Sequence, residues 1–286
     1  MHREYRQANG SARKAAGGGS REPDGDDHEA VLLALGQAIE LRDSSTGGHC
    51  ERLAFHSLAL GLAMGLSRAE LLALYRGGFL HDIGKVGMPD TILFKPTSLS
   101  AGEWQTMRRH PVIGEQICRR LRTLQPVLPI IRNHHERWDG SGYPDGLRGT
   151  GIPLLARVLQ LADIYDALTT VRPYKRAYSP EEALGIMQEE TGRGWRDPEI
   201  MELFLRLHRS VMNVLEDFTA AAGDLTSMEA SLCELERHLS RDTGASARMA
   251  RRPPGTVAGG LNGCRTASLP PPCVPVNGSL PAAADT

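Results

Sequence analysis

The sequence has no CxxC pair; its five cysteines, Cys50, Cys118, Cys233, Cys264 and Cys273, are odd in number and far apart. That spacing argues against a zinc knuckle or a disulfide framework, and a reducing cytoplasm is the expected compartment. No apolar run approaches the length that spans a bilayer, and the first residues, MHREYRQANG, hold no hydrophobic signal region, so no membrane partner is expected. An excess of one charge is missing too. Lys and Arg number 33 against 34 Asp and Glu, for a formal net charge of -1. Long nucleic acid therefore finds no global basic field, and an anionic substrate needs a local group of cations. Alternating strand patterns are nearly absent, and there is no internal repeat.

What remains reads as helix. Residues 1–28, rich in Gly, Ser, Arg and Asp, read as a disordered leader, and the Pro-, Gly-, Ala- and Ser-rich stretch 241–286 as a disordered tail. Between them, 29–240 reads as one all-α domain whose last part is a helical extension. Leu32, Leu35 and Ile39 share a helical face. Ser67 with Glu70, and Ser100 with Glu103, are spaced as capping boxes. Val127, Ile130, Ile131 and His134 follow the helical period, and Pro153 opens a long run through Thr169. Ser179-Pro180 and Asp197-Pro198 start two more helices. Three loops interrupt this frame, at 84–96, 138–153 and around 172–175, and loops on a rigid frame are favoured places for a site.

Five of the ten histidines demand explanation. His81-Asp82 ends an apolar helix, LLALYRGGFLHDIGK, and His134-His135 ends another. His49 follows a Thr-Gly-Gly turn. His110 precedes Pro111, a position biased against the α region, so a helix junction is expected there. Asp163 lies in the apolar run RVLQLADIYDAL. A buried unpaired carboxylate costs several kcal/mol, comparable to the whole stability of a domain. A metal ion removes that cost, and imidazole with carboxylate suits iron, manganese, nickel or zinc. His2, His28, His56, His208 and His238 read as surface or packing residues. Cys50 adjoins His49, but neighbouring helical residues point about 100° apart, so both would rarely reach one ion.

At these residues the sequence resembles the HD-GYP family of metal-dependent phosphohydrolases. The matching stretches are Thr46-Gly-Gly-His49-Cys-Glu-Arg52, Leu80-His-Asp-Ile-Gly-Lys85, Lys95-Pro96, Trp104-Gln-Thr-Met107 with His110-Pro111, His134-His-Glu-Arg-Trp-Asp-Gly-Ser-Gly-Tyr-Pro144, Ile152-Pro-Leu-Leu-Ala-Arg157, Ala162-Asp-Ile-Tyr-Asp-Ala-Leu168 and Arg172-Pro-Tyr-Lys175. They keep the family's order. The resemblance implies an HD-type helical bundle that hydrolyses cyclic di-GMP to pGpG or GMP with metal-activated hydroxide. By that match the metal ligands are His49, His81, Asp82, His110, His134, His135 and Asp163. Family members with a third metal carry a glutamate four residues before the first histidine; Ser45 stands there, so two divalent ions are expected, iron or manganese before nickel or zinc.

Asp82 and Lys85 are then the catalytic candidates. Lys85, Tyr143, Arg172 and Lys175 are the substrate-binding ones. Lys85 shares a face with His81 if the helix persists past Gly84; otherwise it is a cation near a helix end. Tyr143 or Trp138 is open either to stack on guanine or to pack as part of a turn. Asp166 is expected to orient a ligand or cap a polar contact rather than bind metal, and Asp139 to accept hydrogen bonds in its loop or support the site. The roughly 28 residues ahead of the domain leave no room for a receiver, so regulation is expected from a signalling partner or a homodimer. Two other readings stay open: hydrolysis of another cyclic dinucleotide or nucleotide phosphoester, and a non-catalytic cyclic di-GMP-binding scaffold. No ligand of the expected set is missing, which weighs against the scaffold.

Overall fold

A computed structural model describes residues 25–43, 48–171 and 176–215, with side chains described for 29–42, 48–171 and 176–208. The expected leader up to residue 24, the extension beyond 215, the tail, Ser45, Arg172 and Lys175 lie outside the described residues. The helices are α1 (Gly25–Asp43), α2 (His49–Ala63), α3 (Arg68–Leu80), α4 (Asp90–Leu93), α5 (Ala101–Met107), α6 (His110–Cys118), α7 (Leu128–Asn133), α8 (Leu154–Thr169), α9 (Pro180–Gly192) and α10 (Pro198–Leu215). Short 3-10 turns cover Ile83–Gly87, Arg122–Val127 and Gly149–Gly151. No strand occurs among the described residues, and the fold is all-α. No helix among them is long and apolar enough to cross a membrane.

Local chemistry sets several helix starts. Ser67, Ser100 and Ser179 each accept from the amide three residues on, while Glu70, Glu103 and Glu182 reach back to the serine amides. Each such cap is worth about 1 kcal/mol. Asp197 accepts from the amides of Glu199 and Ile200 and so starts α10. The core forms where α2 packs on α3 and α8. Leu53, Leu58 and Leu60 of α2, Leu74, Phe79 and Leu80 of α3, and Leu159 of α8 are fully buried there. Burying each contributes roughly 1.5–3 kcal/mol.

Helix α1 departs from its expected face and start. It begins at Gly25, inside the stretch expected to be leader. Of the expected face Ile39 is buried and Leu32 half-buried against the core, but Leu35 is exposed, and Glu29, Leu33, Gly36 and Glu40 also point inward. Glu29 pairs with buried Arg76 of α3 through two guanidinium nitrogens. A side chain on Gly36 would meet the Phe79 carbonyl. Two carboxylates and a glycine thus occupy the packed face, where hydrophobic periodicity cannot see it.

His56, expected to be a surface or packing residue, is buried on α2 with Nδ1 unpartnered. Its ring meets Tyr165 edge-on at 5.5 Å, and the Tyr165 hydroxyl hydrogen-bonds His208 Nε2 at 2.7 Å. Burial pushes its pKa from 6.5 down to about 4; Asp166 opposes this, while Arg52, His208 and His49 add to it. The unfolded chain therefore binds a proton that the fold refuses between those values. Stability from neutral His56 is full above pH 6.5 and erodes as pH falls toward 4, by about 2 kcal/mol between pH 7 and 5. His56→Leu should flatten that slope in urea titrations done with chelator at both pH values. Equal slopes in both proteins would refute the assignment.

Candidate metal centre

The expected ligands come from five helices and the turns that end them. His49 is the first residue of α2. Gly48 offers no side chain to cap that helix, and Glu40 of α1 does so instead, accepting from the amides of His49 (2.7 Å) and Cys50 (2.8 Å). His81 caps the end of α3 and His134 the end of α7. His110 opens α6 beside Pro111, the helix junction that the proline implied. Asp163 lies mid-way along α8.

The structure brings these seven residues together in two adjoining groups. Asp82, His110, His134 and His135 form one; His49, His81 and Asp163 form the other. Asp82 faces both. Its Oδ1 is 3.1 Å from His110 Nε2 and 3.8 Å from His134 Nε2, and its Oδ2 is 3.3 Å from His81 Nε2. His49 Nε2 lies 3.6 Å from Asp163 Oδ1. Donors about 2.1 Å from one shared ion lie roughly 3–4 Å apart, so this spacing suits a cation.

Which ring nitrogen faces inward follows from the other one. His81 Nδ1 donates to the Gly78 carbonyl (3.1 Å), His110 Nδ1 to Met107 (2.9 Å) and His134 Nδ1 to Ile131 (2.9 Å), each three residues back. His49 Nδ1 donates to the Asp166 carboxylate at 2.6 Å. These bonds turn Nε2 of each ring inward, where it can serve as a ligand once it carries no proton. Asp82 Oδ1 and the Nε2 atoms of His110, His134 and His135 are buried without a hydrogen-bond partner. Lone pairs that face one another without a proton between them are costly, and a cation relieves them.

The charge states agree except at His81, where burial opposes a proton but Asp82 and then Asp163 raise the pKa from 6.5 to about 9, so without an ion that ring holds the proton a cation would displace. Burial, then neighbouring histidines, holds His134 and His135 well below the usual imidazole range, so both are neutral. Burial opposes the charge on Asp82, but Lys85 and His81 outweigh it and keep the carboxylate ionised. Burial likewise opposes the charge on Asp166, and hydrogen bonds from His49 and Arg52 hold it well below the carboxylate range. Asp166 is thus tied to His49 and stands outside both groups.

Helix α3 ends at Leu80, so Lys85 does not continue the face of His81. A 3-10 turn carries it instead, and residues three apart eclipse in that geometry. Lys85 is buried, with Nζ 2.9 Å from Asp82 Oδ2. Tyr143 stacks on His135, centroids 4.7 Å apart at 24°, and the Arg108 guanidinium lies 5.1 Å from the same ring. The Tyr143–Pro144 peptide is cis. Trp138 lies against Arg157, 5.5 Å from guanidinium carbon to ring. Asp139 accepts from the amide and hydroxyl of Ser141, as a loop acceptor. Cys50 is buried, its thiol pushed well up by burial and then Glu40, and it joins neither group.

Sequence reasoning gave no role to three supports. Glu40 caps α2. Glu136, fully buried, accepts from the amides of Asp145 (2.7 Å) and Leu147 (3.1 Å) and pins the 138–153 loop. Gln160 of α8 donates to the His134 and Glu136 carbonyls. Gly142 has no room for a side chain: a Cβ would sit 2.3 Å from the Arg137 amide nitrogen and 2.5 Å from the His135 carbonyl oxygen. That close approach lays the Tyr143 ring on His135.

A family model for the HD domain matches residues 34–200, more than half of the chain. The chain belongs to the HD-domain family. HD-domain relatives include a cyclic di-GMP phosphodiesterase response regulator, RpfG, of Xanthomonas campestris. It is 38% identical over 195 residues, covering 68% of this chain and 51% of the relative. A 3′3′-cGAMP-specific phosphodiesterase of Vibrio cholerae is 39% identical over 177 residues, covering 61% of this chain and 34% of that one. The chain thus spans between a third and a half of the length of these two relatives. Among solved structures, a cyclic GMP-AMP specific phosphodiesterase of V. cholerae superposes with a TM-score of 0.53 at 19% identity, over 76% of this chain and 61% of that one, a likeness of fold.

Proposed function

We propose that this HD-domain chain is a metal-dependent phosphodiesterase of cyclic dinucleotides, with cyclic di-GMP as substrate and pGpG or GMP as product. One observation carries the reading: the ligand atoms of seven side chains lie in two adjoining groups, one of which holds four buried atoms without a hydrogen-bond partner, with one oxygen of Asp82 toward each group. The names of the relatives support the substrate class. His49, His81 and Asp163 would hold one divalent ion, and His110, His134 and His135 another, with Asp82 between. Iron or manganese suits this mixture best, and nickel or zinc is compatible. Bound there, such ions would supply a water of lowered pKa and positive charge for phosphate oxygens.

The chain's own groups do the rest. Lys85 keeps Asp82 ionised and offers an ammonium beside the phosphate position. Asp166 fixes the His49 ring so that Nε2 faces inward. Tyr143 holds His135 and borders the substrate, its ring being occupied by His135 and Arg108. Arg172 and Lys175 are assigned to the second phosphate on the resemblance alone. Hydrolysis of 3′3′-cGAMP is the second reading, favoured by the Vibrio relative of that name.

Protein loaded anaerobically with iron or manganese should hydrolyse cyclic di-GMP and hold two metal atoms per chain by elemental analysis. No turnover with iron, manganese, nickel or zinc would end the enzymatic reading. A reproducible count of three would end the two-ion reading.

A further inference from the structure

Relatives of near-equal identity to this chain carry names that differ in the base of the dinucleotide. Metal ligands that hold a phosphate do not distinguish guanine from adenine, so the base must be read beyond them. The rim of the centre offers one cation suited to that task. Arg108 is exposed and has no carboxylate partner among the described residues. Two aromatic rings accompany its guanidinium instead: Tyr143 at 5.1 Å and Trp104 at 5.9 Å. Aromatic company attracts a cation without neutralising it, so its charge and N–H donors stay available to a ligand.

Its position is fixed relative to the centre from two sides. His110 Nδ1 donates to the Met107 carbonyl, which ties down the turn that carries Arg108. Tyr143, beside Arg108, stacks on His135 and meets His110 edge-on at 6.5 Å. Arg108 therefore stands one ring away from two candidate ligands, the distance scale from a phosphate to the base of its own nucleotide. Guanine presents two acceptors, O6 and N7, on one edge, and a guanidinium can donate to both at once. Adenine replaces O6 with an amino donor, which repels that fork.

We propose that Arg108 is a specificity-determining residue that reads the O6/N7 edge of a substrate guanine, an inference that rests on the cyclic-dinucleotide reading above. Full-length metal-loaded protein, wild type, Arg108→Lys and Arg108→Met, is compared on cyclic di-GMP, cyclic di-AMP and bis(p-nitrophenyl) phosphate, a diester without a base. Calorimetry adds the affinity for the two dinucleotides, which needs no turnover. Arg108→Met should lose roughly 10- to 100-fold in kcat/KM and affinity for cyclic di-GMP, the worth of one bidentate contact. It should lose less than about 3-fold on cyclic di-AMP and on the base-free diester. Arg108→Lys keeps the charge and should still lose most of the guanine preference, which neither loop bracing nor phosphate attraction predicts. An unchanged ratio between the dinucleotides in either assay, or an equal loss on both, would overturn the inference. Wild-type protein that hydrolyses no cyclic dinucleotide fails the proposed function instead, a separate result from the affinity ratio.

Discussion

Asp82→Asn is expected to lower turnover of cyclic di-GMP roughly a thousandfold or more and to deplete bound metal. The side chain keeps its shape and loses its charge. Asp82 is the one expected ligand that faces both groups, Oδ1 toward His110 and His134 and Oδ2 toward His81. Replacing one oxygen by an amide removes an anion from between two cation positions. A loss of about 4 kcal/mol of transition-state stabilisation corresponds to that thousandfold. The variant also leaves the buried Lys85 ammonium without this carboxylate, and loss of one partner of a buried pair costs roughly 3–5 kcal/mol. Circular dichroism must therefore accompany the assay. His110→Asn provides a second variant that leaves the Asp82–Lys85 pair in place and should still reduce metal content. Asp82→Asn that keeps full metal and near-native turnover would sink the centre as described.

Much of the frame could be read from residue order, for physical reasons. Ser67, Ser100 and Ser179 cap helices through contacts only three residues long, so their effect is written locally. The histidine and aspartate doublets stood out because polar groups in apolar helices require compensation. Long-range supports carry no such mark. Glu40 reads as one polar residue of an amphipathic helix, yet it caps α2, the next helix along the chain. Glu136 reads as a surface charge, but the loop it pins folds back over it and buries it. Lys85 depended on where α3 ends. Leaving the α-helix at Leu80 for a 3-10 turn points its ammonium at Asp82, and no periodicity argument could choose between those outcomes.

Gly84→Ala should test how the centre is assembled, because one methyl group is expected to unseat His110. A Cβ there would lie 1.9 Å from the His110 carbonyl oxygen and 2.6 Å from the Gly114 amide nitrogen. Both are backbone atoms, so no rotamer change can relieve the clash. The Ile83–Gly87 turn and α6 must move apart, and they carry Asp82's neighbours and His110 respectively. Overpacking of this kind costs about 3 kcal/mol, near the upper end for an added methyl, which lowers Tm by roughly 6–12 °C in a domain of this size. Separation also widens the 3.1 Å approach of His110 to Asp82, so metal content should fall with stability. Two neighbours calibrate the result. Gly87→Ala meets only Ile113 side-chain carbons at 3.3 and 3.4 Å, which can yield, and should cost less than about 1 kcal/mol. Gly102→Ala, in the first turn of α5 with nothing within 4 Å, should be neutral or stabilise by up to about 1 kcal/mol. If all three melt alike and bind metal alike, the contact between Gly84 and α6 is not what seats His110 in the centre.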